Sequence, residues 1–468
     1  MRFSDGFIGW LLMAAVGFVL PSGGWSDELL GRRPGFAFQE AIDAAYARGG
    51  GRVTVPRGRH VTGGLVLRSN VELHLAHGAV LEGSSRTNDY PVVELPYSEG
   101  AWMAVVMAVG ATNVAVTGEG EIFGNGTAFP VPPSGGGNQE GWRPRGLFFG
   151  NCRTVRLEGF RLRDAACWGC VVQCCEDVTI RRLAIDSHAN RNNDGIDIEA
   201  RNVLIADCDI DVGDDAVCLK SNNPDFVVEN VVVSNVVARS HCANLKLGTA
   251  SHGTMRNVLF THCRIEASRR DFQYAPPGQG PRPFFFRDWC VRDFPASRPE
   301  ESASFSAIAI ECVDGGAVED VTCSHIEIDG GTYVPIFVRA GRRLSRANGT
   351  PRGVQNRLKC VRIEHVRGRS LSAVPSSITG IGGFRVEDVT LRDVHLTVRG
   401  GGENAAERMR PVPEHEGRTP SAGMFVLPLP AYGLWARHVT GLTLDDVSFE
   451  LEPGTFDRRA CIVREDVR

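Results

Sequence analysis

Residues 155–162 read VRLEGFRL, 178–185 VTIRRLAI, 203–210 VLIADCDI, 231–238 VVVSNVVA and 258–265 VLFTHCRI. In each, small or apolar residues fall at relative positions 0, +2, +5 and +7, from Val155, Leu157, Phe160 and Leu162 to Val258, Phe260, Cys263 and Ile265. Residues two apart share a face of a strand, so two short strands joined by a corner account for the change of phase between +2 and +5. Consecutive copies start 23, 25, 28 and 27 residues apart. That is about one coil of a parallel β-helix, and self-similarity at such a period marks a solenoid. Later copies begin at Val321, Val361, Val389 and Leu442. A sandwich or propeller would need hairpins or blade-length repeats, which this pattern does not contain. The expected fold is therefore all-β, a right-handed parallel β-helix of about ten coils.

Outward from these copies, Ala37–Ala47 (AFQEAIDAAYA) is amphipathic and ends at Gly49-Gly50-Gly51, which predicts a helix capping the N-terminal end of the solenoid. Before it, Arg2, the apolar run Phe7–Leu20 and the small residues Ser22, Gly23 and Gly24 suit a signal peptide over residues 1–25. The run is short for a membrane span. The expectation is a secreted or periplasmic protein with no membrane span in its mature form. Residues 26–468 are expected to form a single β-helix domain, a monomer, with long loops at 268–304, rich in Arg, Pro and aromatics, and at 400–430, rich in Gly and Pro. A net charge of −4 without a basic cluster excludes nucleic acid as the natural partner.

Of the fourteen cysteines, Cys208, Cys263 and Cys323 fall on apolar ladder positions, where cysteine acts as a small hydrophobe. Cys167, Cys170, Cys174 and Cys175 are crowded but fit no zinc spacing, so buried thiols or one disulfide are expected, and no metal or cofactor.

The chemistry lies in Asn192–Lys220, NNDGIDIEARNVLIADCDIDVGDDAVCLK. Asp194 stands about one repeat ahead of Asp214-Asp215. Carboxylates held close together repel, so at least one should titrate toward neutrality and serve as a proton donor. The plainer reading is that such aspartates make turns or bind a structural cation. Strand parity, with Val217, Leu219, Leu245 and Leu247 inward, turns Cys218, Lys220, Asn244 and Lys246 outward, and Asp197 and Glu199 with them one rung earlier. Lys220 and Lys246, two of only three lysines and 26 residues apart, should then sit on adjacent rungs roughly 5 Å apart. Carboxylates beside lysines in a groove suit a sugar acid.

At Asn192-Asn193-Asp194-Gly195-Ile196-Asp197 and Gly213-Asp214-Asp215-Ala216-Val217 the sequence resembles the polygalacturonases of glycoside hydrolase family 28, from about Gly49 onward. The resemblance implies inverting hydrolysis of a pectic poly- or oligosaccharide, with Asp214 as general acid and Asp194 and Asp215 activating water. Asn192, Lys220, His241, Asn244, Lys246 and Arg339 become candidate substrate-binding residues. The family's Gly-His-Gly turn is replaced by Cys242-Ala243-Asn244, so His241 either substitutes for the family histidine or is a satisfied surface histidine. The family's Arg-Ile-Lys falls on Ala309-Ile310-Glu311, leaving Lys220, Lys246 and Arg339 as partners for a substrate carboxylate. Attack at chain ends is expected if the long loops close the groove. The alternatives are a polysaccharide lyase and a non-catalytic glycan-binding β-helix.

Overall fold

The computed structural model describes residues 34–98, 102–129, 143–270, 303–345, 355–401, 406–407, 409–425 and 428–468. The leader, and the aromatics Phe272, Tyr274, Phe284, Phe285, Phe286, Trp289 and Phe294 of the first long loop, lie outside these residues, as does part of the 400–430 loop.

The five quoted segments stack as the sequence pattern requires. Val155 pairs with Val178, Val178 with Val203, Val203 with Val231 and Val231 with Val258, all in parallel. The column continues through Val321, Val361, Val389 and Leu442. Nearly every member is buried, so an apolar residue at each 0, +2, +5 and +7 position builds one continuous core along the axis. A second column of strands, starting at residues 65, 104, 145, 170, 196, 217, 243, 304, 332, 376, 431 and 460, also pairs in parallel rung by rung. These twelve rungs exceed the ten coils expected, because the first and last ones lack the apolar signature. The architecture is a parallel β-helix.

The corners explain the phase shift. Residues at relative position +4 (Asp207, Asn235, His262, His325, His365, Asp393 and Asp446) adopt positive φ, as do those at −1 (Asp177, Asn202, Asn230, Asn257, Asp320, Cys360 and Asp388). Asn and Asp are the non-glycine residues that enter this region most readily. Stacked rung upon rung, their side chains bond to one another: Asn202 Nδ2 donates to Asp177 at 3.0 Å, Asn230 to Asn202 at 3.0 Å and Asn257 to Asn230 at 2.7 Å.

At the N-terminal end the helix Phe36–Ala47 buries Ile42 and Ala45 against the first rungs. Its Gln39 side chain donates to the Val66 carbonyl at 3.1 Å and accepts the Val66 N–H at 2.9 Å. The cap therefore supplies hydrogen bonds at an edge strand, Leu65–Val66, that is only two residues long. The described cysteines are free thiols, and Cys208, Cys263 and Cys323 are buried in the core. No helix among the described residues is long and apolar enough to cross a membrane.

Candidate active site

The acids project from turns that enter two consecutive strands, Ile196–Ala206 and Val217–Ser221, and the turn that enters the next strand, Ala243–Ser251, carries His241 and Cys242. These turns stack like the strands they precede: Gly195 N–H donates to Asp215 O at 2.8 Å and Ala216 N–H to Ala243 O at 2.8 Å. Gly195 is required there, since a Cβ would lie 2.4 Å from the Ala216 carbonyl oxygen and 2.8 Å from Ile210 Cγ2. The two asparagines before Asp194 hold the turn. Buried Asn193 donates to Ala165 O at 2.8 Å and Cys167 O at 3.2 Å, while Asn192 Oδ1 accepts from Arg143 at 3.1 Å. Asn192 is thereby committed to a structural partner.

Two lysines divide the acids between them. Lys246 Nζ donates to Asp215 Oδ2 at 2.8 Å, and Lys220 Nζ lies 2.9 Å from Asp197 and 3.5 Å from Asp194. Lys220 and Lys246 sit on adjacent rungs as expected, but the register corrects their expected apposition at roughly 5 Å. Lys246 stands opposite Cys218, and Val217 opposite Leu245, so this coil takes 28 residues and Lys220 sits two residues farther along its strand. Each ammonium reaches its own acid as a result.

The consequences differ from acid to acid. Burial, reinforced by the neighbouring Asp215 charge, pushes Asp214 up to about 6. Burial also disfavours ionisation of Asp215, but the Lys246 ammonium overrides it through charge and hydrogen bond and holds that carboxyl below its ordinary value. The Ala243 N–H adds a bond to Asp215 Oδ1 at 3.1 Å. Burial and the charge of Asp197 drive Asp194 well above the usual carboxylate range, against the pull of Lys220. One protonated and one ionised carboxyl side by side can donate and accept protons at the same centre.

Other candidates serve elsewhere. His241 is buried, meets the Arg270 carbonyl through Nε2 at 2.9 Å and packs edge-on against His188, with ring centroids 5.5 Å apart. It is therefore not a surface histidine. Asn244 is buried and donates to Ser304 Oγ at 2.7 Å and Ser306 O at 3.4 Å, pinning the next rung. Arg339 lies two rungs beyond Lys246 and is 2% exposed. Its guanidinium donates to Gly380 O at 3.1 Å, Glu414 O at 2.6 Å and His415 O at 3.4 Å. It clamps the 412–425 segment, and the structure does not bring it to the acids. Ala309 stands directly opposite Lys246, and Glu311 is buried, its carboxyl pushed up to about 7 by burial.

Sequence reasoning missed an aromatic wall on the N-terminal side. Trp102 stacks on Phe148 with centroids 4.9 Å apart, and Trp168 lies 5.4 Å from Trp102. The Lys220 ammonium sits 4.1 Å from the Trp168 ring centre. A cleft there is lined by Trp102, Trp168, Gln173, Glu199, Lys220 and Asn222. Its signal was available, since Trp168 precedes Gly169 as Asp194 precedes Gly195 one rung on. Beyond the acids Tyr333, Phe337, Phe425 and Trp435 form a second apolar cluster.

The geometry meets a family pattern. The sequence profile described as glycosyl hydrolases family 28 matches residues 52–270, which contain all three acids and both lysines. Residues 52–270 belong to glycosyl hydrolases family 28. A probable polygalacturonase of Vitis vinifera is 26% identical over 243 residues, covering 47% of this chain and 49% of that protein. The chain thus spans about half the length of that relative. Among solved structures, a hyperthermoactive exopolygalacturonase of Thermotoga maritima superposes with a TM-score of 0.61 at 20% identity, covering 87% of each chain. A family 28 exopolygalacturonase of Yersinia enterocolitica gives 0.63 at 18% identity, covering 92% of this chain and 74% of that one. At these identities the likeness fixes the fold, a right-handed parallel β-helix.

Among the described residues two groups could hold a metal: Asp214, Asp215 and Cys242 at the clustered acids, and Asp393, His395 and Asp446 nearer the surface.

Proposed function

We propose that this protein is a glycoside hydrolase that cleaves α-linked galacturonic acid or a related pectic residue with inversion. Asp214 protonates the departing glycosidic oxygen, and Asp215, held ionised by Lys246, draws the proton from the attacking water. Asp194, kept protonated by burial and the Asp197 charge, holds that water by a hydrogen bond and does not share the base role expected of it. The observation that carries this reading is the split between neighbours: Asp214 raised to about 6 beside an Asp215 held ionised by Lys246. Hydrolysis of a glycosidic bond needs such an acid and base together, and inversion follows when the base delivers water to the opposite face of the sugar. Membership of the 52–270 segment in family 28 supports the same chemistry.

Lys220 and Lys246 are the cations closest to the acids, and they would face a substrate carboxylate. Trp168, one rung before Asp194, and Trp102 line the cleft beside Lys220, which supports removal of residues from chain ends. Export is part of the reading and rests on the leader-like residues 1–25.

Incubation with a panel of pectic glycans tests the reaction. Reducing ends should appear without products absorbing in the ultraviolet, and proton NMR should show the anomer opposite to the scissile linkage. Asp214→Asn should lower kcat/KM at least about a hundredfold while leaving the circular dichroism spectrum unchanged, because the amide cannot supply the proton. Chelator-sensitive ultraviolet absorbance would overturn hydrolysis in favour of a lyase. Glycan binding without turnover would leave a binding module. Monosaccharide accumulating while polymer viscosity stays high would support attack at chain ends, and a rapid viscosity drop would refute it.

A further inference from the structure

From the following coil a thiol comes close to both Asp214 and Asp215. Cys242 Sγ and an oxygen of each carboxylate all lie within 4.8 Å of one another. This placement is built into the backbone. Ser240 Oγ donates to Asp214 O at 2.6 Å and accepts the Cys242 N–H at 2.7 Å, tying the acid turn to the next one. On the far side, the Cys242 carbonyl accepts N–H groups from Phe305 at 2.6 Å and Ser306 at 3.2 Å. Continued back from Val217 opposite Leu245, the register sets Cys242 opposite Asp214. Both neighbouring rungs therefore fix this residue, and its side chain remains partly exposed.

We propose that Cys242 is a positioning residue of the acid pair, its S–H donating to the Asp214–Asp215 carboxylates. The inference rests on the glycosidase reading and names a group that the sequence alone had passed over in favour of His241. A donor favours the ionised carboxylate, so the thiol supports the charged state of the pair without adding a positive charge. In return, burial and the two carboxylates hold the thiol protonated, well above its ordinary value, which keeps it a donor and not a nucleophile. The charged and titratable groups around the pair are Asp194, Asp197 and Lys220 on one side and Cys218, Lys246 and Glu311 on the other. Cys242 differs from all of them in being a neutral donor that faces both carboxylates.

The test compares the full-length protein with Cys242→Ala and Cys242→Ser. The alanine variant should fold, and both limbs of its pH profile for kcat/KM should move about half a unit to higher pH, as loss of a donor to a carboxylate requires. The serine variant keeps a donor and should restore the wild-type limbs. An alanine profile superimposed on the wild type, or a serine profile displaced as far as the alanine one, overturns the proposal. A second readout needs no turnover and separates this proposal from the function itself. Alkylation of Cys242 by iodoacetamide, followed by peptide mass, should run at least about threefold faster in an Asp214→Asn/Asp215→Asn variant, because removing two negative charges eases formation of the thiolate. Equal rates, including no labelling in either protein, overturn the contact. A wild type that labels as expected but hydrolyses no pectic glycan defeats the glycosidase reading and leaves the thiol–carboxylate contact standing.

Discussion

Lys246→Met isolates the interaction on which the division of labour among the acids depends. The lysine and Asp215 are both nearly buried, and their 2.8 Å contact gives Asp215 its counter-charge. Removing one partner of a buried ion pair strands the other and costs about 3–5 kcal/mol. Spread over the melting entropy of a 468-residue chain, about 1 kcal/mol per degree at the usual value per residue, this is a loss of roughly 3–5 °C in Tm at pH 7. The sign with pH follows from the direction of the Asp215 shift. Its folded value is depressed, so its stabilisation is present above the unfolded value, about 3.9, and is lost as pH falls through the folded value. In the variant the carboxyl can instead take up a proton, so the gap in Tm between the two proteins should narrow steadily from pH 7 to pH 4. Catalysis should suffer in parallel, since a protonated Asp215 cannot draw a proton from water. kcat/KM at pH 6 should fall about a hundredfold or more. Calorimetric melts at several pH values, with initial rates on a pectic oligosaccharide, provide the assay. A Tm within about 1 °C of wild type at pH 7, or a deficit that widens on acidification, would refute the assignment of Lys246 as the counter-ion that keeps Asp215 charged.

The pH profile of the unaltered protein should be acidic. With Asp214 at about 6 and required in its protonated form, kcat/KM should drop tenfold per unit above that value, whereas a plateau reaching pH 8 would exclude Asp214 as the acid. The falling limb at low pH should lie below the ordinary carboxylate value, because Asp215 is depressed. Trp168→Ala removes the ring beneath the Lys220 ammonium and one wall of the cleft. KM should rise about tenfold, as loss of an aromatic stacking surface worth about 1.4 kcal/mol implies, with kcat changed less than threefold; an unchanged KM would remove this wall from the substrate path.

The repeat was legible because a β-helix writes its core into the sequence at every coil. The 0, +2, +5, +7 spacing is a local property of two strands and a corner, and the observed register from Val155 to Leu442 follows it. Even the positive-φ corners could have been read, since Asn and Asp recur at −1 and +4. The acids were legible for a related reason. Charged residues in a strand that alternates apolar and polar can face only outward, and Asp194 and Asp214-Asp215 precede adjacent strands of one sheet.

What the sequence left open depends on lengths and contacts that only folding sets. Coils range in length, so a spacing of 26 residues between Lys220 and Lys246 did not make them partners; the 28-residue coil between Val217 and Leu245 did that for Cys218 and Lys246. Arg339 has outward parity like the lysines, yet the carbonyls of residues 414 and 415 capture its guanidinium. His241 and Cys242 are neighbours, and no propensity says which of them meets the acids. The Cys242 N–H bonded to Ser240 Oγ and the Cys242 carbonyl bonded to Phe305 and Ser306 hold the thiol at the pair, while the imidazole meets the Arg270 carbonyl. Sequence determined which groups share a face, through the period of the chain. Tertiary structure decided which of them touch, through the lengths of the coils and the segments that fold over the sheet.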